Sequence, residues 1–284
     1  MYSNESTEQR YRLLVMDVDG TLVDDRQRIP SENVRAVQQL QDAGIDCALA
    51  TGRTWISAEP YIRELALSAP SILYNGAQIV DSAGTVLQEQ LLDPATALTT
   101  LDYAERHGFT PFLYRDNQVL VGSITPLVTE QARKDGVVCR EVGVLGEIIE
   151  NTDGPSPTKL LLVGTEAGAE RLQRELRVRL DGEATVIRSE THFVEVLPRD
   201  SGKDAALRRL CTLRGIEIGR SVAIGDNLND LEMVQAAGLG VAPRNAHRQV
   251  RACAGYVCRR DNSEGAIAEL AAFLLGDRHA ASKS

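Results

Sequence analysis

Several short apolar runs, each ending at a polar or glycine residue, constrain the fold of this chain most strongly. The runs span residues 11–16, 45–50, 72–74 and 221–224, and each is short enough for one buried strand. Amphipathic helical stretches separate them, such as the one from Ser31 to Ala43, which ends before Gly44. This alternation predicts an α/β fold with a doubly wound, Rossmann-like parallel sheet. Ligands bind such sheets beyond the carboxyl ends of the strands, so the residues that follow the runs form the candidate site.

The middle of the chain has a different pattern, in which strand pairs resembling hairpins alternate with helices. Residues 110–114 pair with 118–121 in this interpretation, and residues 184–188 pair with 193–197. At 284 residues the chain is long enough for two unequal domains. We therefore expect an α+β domain inserted at residues 82–197, between two core segments at 1–81 and 198–284.

The net charge limits the partners of the protein. A formal charge of −9 disfavours binding to nucleic acid or to an anionic membrane, since both need a basic surface. No apolar run approaches the roughly 20 residues of a membrane helix. Five scattered cysteines without a CxxC pair indicate neither a disulfide framework nor a zinc site. We expect a cytoplasmic protein whose partner is a small molecule; the oligomeric state is not predicted.

The strongest chemical signal, Asp17-Val18-Asp19-Gly20-Thr21, follows the first apolar run directly. Its two carboxylates straddle the end of a strand, where Gly20 allows a close turn around an anion and Thr21 can fix a carboxylate. In isolation Asp-x-Asp-Gly predicts only a turn. The preceding strand and further motifs downstream favour a catalytic site instead.

These residues resemble the first motif of the haloacid dehalogenase superfamily, and three further motifs follow in the order of that family. They are Thr51-Gly52-Arg53, Lys203 at a helix start, and Gly225-Asp226-Asn227-Leu228-Asn229-Asp230. Asn75-Gly76-Ala77 resembles the Cof-type branch, in which a large α/β cap occupies the place of the insertion. Any one motif is weak evidence, whereas four in order are specific.

The resemblance implies a phosphatase that works through an aspartyl-phosphate intermediate. Asp17 would be the nucleophile that attacks phosphorus. Asp19 would protonate the departing oxygen and later take a proton from water. For that role we expect charged neighbours to raise the pKa of Asp19.

The resemblance also implies a Mg²⁺ site. The ligands would be the carboxylate of Asp17, the backbone carbonyl of Asp19, and Asp226, with waters completing the shell. Asp230 would orient a metal-bound water and not bind the metal directly.

The phosphoryl oxygens would be held by Thr51, by the amide of Gly52 and by Lys203. Asn229 would help to position Lys203 or the phosphate. Arg53 would either reach the substrate or be a surface cation at a helix start. Residues 198–204, Pro-Arg-Asp-Ser-Gly-Lys-Asp, depart from the glycine pattern of the family around the lysine, which leaves the placement of Lys203 open.

The substrate is predicted only as a class, small phosphorylated metabolites. Sugar phosphates are favoured, with flavin mononucleotide and pyridoxal phosphate as alternatives. Phosphoryl transfer to a second sugar, as in a mutase, and a catalytically inactive binding module are the competing functions. In the insertion, Tyr114 and Phe193 are expected to belong to the core.

Overall fold

The structure, a computed structural model, describes residues 10–151 and 154–281, with side chains as far as Gly276. The predicted outer segments, 1–81 and 198–284, therefore extend at both ends beyond the described residues. The strands within the described ranges are β1 (Leu13–Met16), β2 (Asp46–Leu49), β3 (Ser71–Leu73), β4 (Gln78–Val80), β5 (Val86–Glu89), β6 (Thr110–Arg115), β7 (Gln118–Val121), β8 (Cys139–Glu141), β9 (Lys159–Val163), β10 (Ala184–Glu190), β11 (Phe193–Pro198), β12 (Ser221–Ile224), β13 (Leu239–Ala242) and β14 (Tyr256–Val257). The helices are α1 (Ser31–Asp42), α2 (Trp55–Glu64), α3 (Pro94–Arg106), α4 (Pro126–Asp135), α5 (Leu145–Glu150), α6 (Glu166–Arg179), α7 (Lys203–Arg214), α8 (Leu231–Ala236), α9 (Arg248–Cys253) and α10 (Ala266–Ala281).

A five-stranded parallel sheet forms the core domain, in the order β14-β13-β12-β1-β2. Strand β1 lies between β12 and β2, with Val15 opposite Ala223 and Ala48. Strand β3 continues the sheet through a parallel bridge between Ala50 and Ile72. The predicted doubly wound core is confirmed. Polar residues that follow β1, β2 and β12 consequently meet at one edge of the sheet.

Helices cover both faces of the core sheet, which explains why the central strand β1 is apolar at every position. Leu14 and Met16 of β1 face α1 and α10, whereas Leu13 and Val15 face α7 and α8. All four side chains are completely buried. None of the helices among the described residues is long and apolar enough to cross a lipid bilayer.

A second, six-stranded sheet belongs to the predicted insertion, in the order β10-β11-β9-β6-β7-β8. Helices α3, α5 and α6 cover one face, where Leu160 and Val194 contribute to a separate apolar core. Alternation along the strands turns Leu161 and Phe193 to the opposite face, toward the core domain. We call these strands the cap sheet.

Several features of the fold were not predicted from the sequence. Strand β8 and helix α5 lie in a stretch with no clear apolar period. Strands β4 and β5 pair antiparallel with β3 in a small third sheet. Because β5 lies inside residues 82–197 and pairs outside that range, the limits of the insertion stay a prediction.

Candidate active site

Asp17 directly follows β1 and lies at the base of a cleft between the core domain and the cap sheet. Its amide donates to the Ile224 carbonyl at 2.9 Å, which ties the end of β1 to β12. The chain then turns sharply at Gly20, whose φ is +77°. A Cβ at Gly20 would lie 2.5 Å from Asp226 Oδ2, so this turn requires glycine both for its dihedral angle and for space.

Lys203 lies between two buried carboxylates. Its Nζ donates to Asp17 Oδ1 at 2.5 Å and to Asp230 Oδ1 at 2.6 Å. Burial opposes the charge of Lys203, but the two carboxylates outweigh it and raise the lysine pKa. The residues before Lys203 differ from the family pattern, but the ammonium group of Lys203 still contacts Asp17.

The pKa of Asp17 is raised well above its usual value, first by burial and then by the charge of Asp230, while Lys203 opposes the shift. Burial and Asp230 likewise raise the pKa of Asp226 to about 7. Asp226 Oδ1 accepts a hydrogen bond from Thr21 Oγ1 at 2.8 Å, the carboxylate-fixing contact expected for Thr21. Both pKa shifts thus come first from burial and second from repulsion between neighbouring carboxylates.

The carboxylates fit a divalent cation. Single oxygens of Asp17, Asp226 and Asp230 all lie within 4.8 Å of one another, and Lys203 is the cation that contacts two of them. Carboxylate oxygens are the ligands that Mg²⁺ prefers. Asp230 is already engaged, because its Oδ1 binds Lys203 and its Oδ2 accepts from the amides of Asp226 and Asn227 at 3.1 and 3.0 Å. Asp17 and Asp226 are therefore the better ligands.

Asp19 is paired with Arg53. Arg53 Nε and Nη2 donate to Asp19 Oδ2 and Oδ1 at 2.8 and 2.6 Å. Desolvation by the surrounding protein raises the pKa of Asp19. The hydrogen bonds and charge of Arg53 outweigh this effect, so the pKa lies below its usual value. The expectation of a raised pKa was wrong, since it counted the neighbouring carboxylates and missed the guanidinium.

Arg53 is not a surface cation, since its side chain is 10% exposed. Its Nη1 donates to Ser57 Oγ at 2.8 Å, and the guanidinium lies 5.2 Å from the centre of the Tyr61 ring. Arg53 also lines the cleft. The structure therefore places this arginine beside the proposed acid, where a substrate would approach.

Thr51 and Gly52 follow β2, and the turn Thr51-Gly52-Arg53 borders the cleft. Thr51 is buried, and its hydroxyl accepts from the Arg53 amide at 3.1 Å. A Cβ at Gly52 would lie 2.9 Å from Asn75 Nδ2. The absence of a side chain at position 52 thus leaves room for Asn75 to approach the turn.

The side-chain amide of Asn229 donates a hydrogen bond to Asn75 Oδ1 at 3.1 Å, and not to Lys203. Asn75 has a left-handed backbone, with φ +51° and ψ 33°, and its own amide donates to Glu195 Oε2 at 3.0 Å. The sequence motif containing Asn75 was noted only as a mark of the family. Its left-handed conformation is the physical reason for an Asn-Gly pair at this place.

The cap sheet forms the other wall of a cleft of about 120 Å³. Tyr114 and Phe193, expected in the core, are buried and also line this cleft, as do Lys159 and Glu195. Sequence reasoning missed the two charged residues. The sequence did contain a sign of their role, because each is the one charged residue in an otherwise apolar strand. Both lie on the face of the sheet that points away from its helices.

Comparisons with known proteins agree with this architecture. The family model of haloacid dehalogenase-like hydrolases matches residues 14–270. The 5-amino-6-(5-phospho-D-ribitylamino)uracil phosphatase YcsE of Bacillus subtilis is 26% identical over 265 residues, 93% of this chain and 96% of that protein. A haloacid dehalogenase-like hydrolase from Bacteroides thetaiotaomicron superposes with a TM-score of 0.81 at 29% identity, covering 93% and 99% of the two chains. The subclass IIB sugar phosphatase BT4131 shares the fold, with a TM-score of 0.79, 21% identity and coverage of 93% and 99%.

Proposed function

Because the chain belongs to the haloacid dehalogenase-like hydrolases, we propose that it hydrolyses phosphate monoesters of small metabolites with Asp17 as the nucleophile. One observation carries the proposal: a buried carboxylate at the base of the cleft touches Lys203 and precedes Asp19 by two residues. The phosphatase activity in the name of YcsE supports the same class of reaction.

The chemistry follows from these groups in two displacements. A carboxylate oxygen of Asp17 forms a bond to phosphorus while the bond to the ester oxygen breaks, and Asp19 gives that oxygen a proton. Water then attacks the phosphorus of the aspartyl phosphate and gives a proton to Asp19. The bond between Asp17 and phosphorus breaks and inorganic phosphate leaves. Asp17 is then again a carboxylate, and Asp19 again holds the proton it gave to the ester oxygen.

Asp17 and Asp226, with the backbone carbonyl of Asp19, would hold Mg²⁺, and Asp230 would keep the Asp226 loop in place. The ion supplies positive charge that offsets repulsion between the nucleophile and the phosphate. We assign the phosphoryl oxygens to Lys203, to Thr51 and to the amide of Gly52. The turn Thr51-Gly52-Arg53 is called the phosphate turn below.

Asp19 can act as an acid only when Arg53 releases it, because a carboxylate in a bidentate ion pair holds no proton. We infer that a bound substrate displaces Arg53 from Asp19. Arg53 then lies within reach of the substrate, which is the role that the sequence left as one of two alternatives.

Sugar phosphates are the substrates that the cleft supports best. Asp135 and Glu190 line its cap side, and their carboxylate oxygens can accept hydrogen bonds from hydroxyl groups. The phosphoribityl group in the name of YcsE is of this hydroxyl-rich kind. The charge of −9 supports a small-molecule partner over nucleic acid, and a cytoplasmic location stays a prediction.

The test is release of inorganic phosphate from a panel of sugar phosphates, flavin mononucleotide, pyridoxal phosphate and para-nitrophenyl phosphate. Each reaction is run with Mg²⁺, with chelator, and with Asp17→Asn as an isosteric control. We expect Mg²⁺-dependent release that the variant loses while its thermal unfolding stays near that of the wild type. Full activity in Asp17→Asn would exclude this nucleophile. If the folded wild type released phosphate from no member of the panel, the mutase or the inactive binding module would be favoured.

A further inference from the structure

Lys159 and Glu195 form a buried ion pair on the cleft face of the cap sheet. Lys159 Nζ lies 2.8 Å from Glu195 Oε2, and the two side chains are 4% and 5% exposed. Burying two charges costs several kcal/mol of desolvation in each ion, which their attraction repays only with good geometry and further hydrogen bonds. The further bonds that this pair makes lead out of the cap.

Both members of the pair reach the core domain. Lys159 Nζ donates to the Gly52 carbonyl at 2.9 Å, across 107 positions of sequence. Glu195 Oε2 accepts from Asn75 Nδ2 at 3.0 Å, and the backbone amide of Asn75 donates to the Thr51 carbonyl at 2.9 Å. Two independent paths therefore join one ion pair to the phosphate turn.

The lysine path ends at the Thr51 hydroxyl. The Gly52 carbonyl belongs to the peptide group whose N–H is that of Arg53, and this N–H donates to Thr51 Oγ1. Because a peptide group is planar, a bond that holds its carbonyl also orients its N–H. Lys159 thereby fixes the hydroxyl assigned to the phosphate.

Lys159 itself is not available as a phosphate ligand. Glu195, the Gly52 carbonyl and the Tyr114 ring, whose centre lies 4.6 Å from Nζ, surround its ammonium group. A direct contact with phosphate would require the lysine to leave these partners. Its effect on the substrate is therefore through the turn.

We propose that Lys159 and Glu195 are positioning residues of the active site, which hold the phosphate turn in its binding conformation. This inference rests on the proposed phosphatase function. A pair that served only the stability of the cap would need no bonds to Gly52 and Asn75. Lys134 and Glu190 provide the contrast in the same domain, since they pair at 2.5 Å with side chains 48% and 37% exposed.

The test measures binding of inorganic phosphate by calorimetry, with Mg²⁺ and the full chain, alongside thermal unfolding. Lys159→Met removes the donor to Gly52 and leaves Glu195 buried without its cation, so both affinity and stability should fall. Loss of a charged hydrogen bond, about 1.5–3 kcal/mol, corresponds to about tenfold or more in affinity. Lys134→Met is the matched control and should bind phosphate as the wild type does.

The double variant Lys159→Met/Glu195→Gln separates positioning from stability, and it also serves if Lys159→Met fails to fold. Removing both charges should restore much of the unfolding temperature, because no unpaired buried charge remains. Phosphate affinity should stay about tenfold lower, since Gly52 still lacks its donor. Lys159→Arg, which keeps a donor, should recover part of the affinity.

The inference would be overturned if the double variant recovered wild-type phosphate affinity together with its stability. It would also be overturned if the wild type bound no phosphate. Wild-type protein that binds phosphate and releases none from any ester would defeat the proposed function alone. The two failures are therefore distinguishable.

Discussion

Arg53 holds Asp19 through two hydrogen bonds, from Nε to Oδ2 at 2.8 Å and from Nη2 to Oδ1 at 2.6 Å. The arginine is itself fixed by Ser57 and the Tyr61 ring. The proposed general acid is thus stabilised as a carboxylate before substrate arrives. In the proposed mechanism catalysis requires this pair to break, so the pH dependence of kcat/KM tests it.

Arg53→Met should raise the pKa of Asp19, because the desolvation that raises this pKa stays while the bonds and charge that lower it are lost. Asp19 must carry a proton to act as the acid. The fall of kcat/KM with rising pH should therefore move to higher pH in the variant. The profile is measured with an alkyl phosphate, with Arg63→Met on the exposed side of α2 as control. An unmoved profile would count against the Asp19–Arg53 coupling.

Asp19→Asn should slow the cleavage of alkyl phosphates much more than that of para-nitrophenyl phosphate. A poor leaving group needs the proton, whereas nitrophenolate departs without it; general acid catalysis is typically worth about 10²–10⁴-fold. Steady-state kinetics on both substrates give the ratio of the two losses. Equal losses would exclude Asp19 as the acid. The control is Asp25→Asn in the exposed turn nearby, which should change neither rate.

Lys203→Met should abolish turnover and lower stability, because two buried carboxylates lose their shared cation. Breaking a buried pair costs about 3–5 kcal/mol, which lowers Tm by on the order of 10 °C in a protein of this size. Calorimetry with and without Mg²⁺ should show that the ion recovers part of the loss. An unchanged Tm would contradict the role of Lys203 as the cation that stabilises both carboxylates.

The metal-free protein should lose stability as the pH rises from about 4 to about 7. Asp226 has a folded pKa of about 7, above its unfolded value of about 3.9, so the folded state binds this proton more tightly. Mg²⁺ competes with the same proton, and its affinity should rise with pH up to about 7 and then level off. Unfolding scans and Mg²⁺ titrations from pH 5 to 8.5 measure both trends. Asp226→Asn should weaken them, and a flat Mg²⁺ affinity across this range would contradict the assignment.

The main predictions about the fold came from local patterns. Apolar runs of four to six residues located β1, β2 and β12, and the charged and glycine residues after them marked the edge where Asp17 and Asp226 meet. The small sheet formed with β4 and β5 was missed because such short strands carry little periodic signal.

For the site, too, motifs predicted some features and missed others. Motifs named Asp17, Asp19 and Thr51, which line one cleft in the structure. They also named Lys203, which binds Asp17, and Asp226, which lies close to Asp17. Their roles stay proposals. The expected pKa of Asp19 failed, because it depends on Arg53, 34 positions away, and on the orientation of a side chain.

The sequence by itself determined the alternating strands and helices of the core and the motifs from which the reactive groups are proposed, because both depend on residues close together in the chain. Only the tertiary structure decided which charges are paired: Asp19 with Arg53, Lys203 with Asp17, and Lys159 with Glu195 and Gly52. The physical reason is that an ion pair is set by distances of about 3 Å and by exclusion of water. Strand register and the closing of the cap sheet over the core create both conditions among residues separated by 34 to 186 positions.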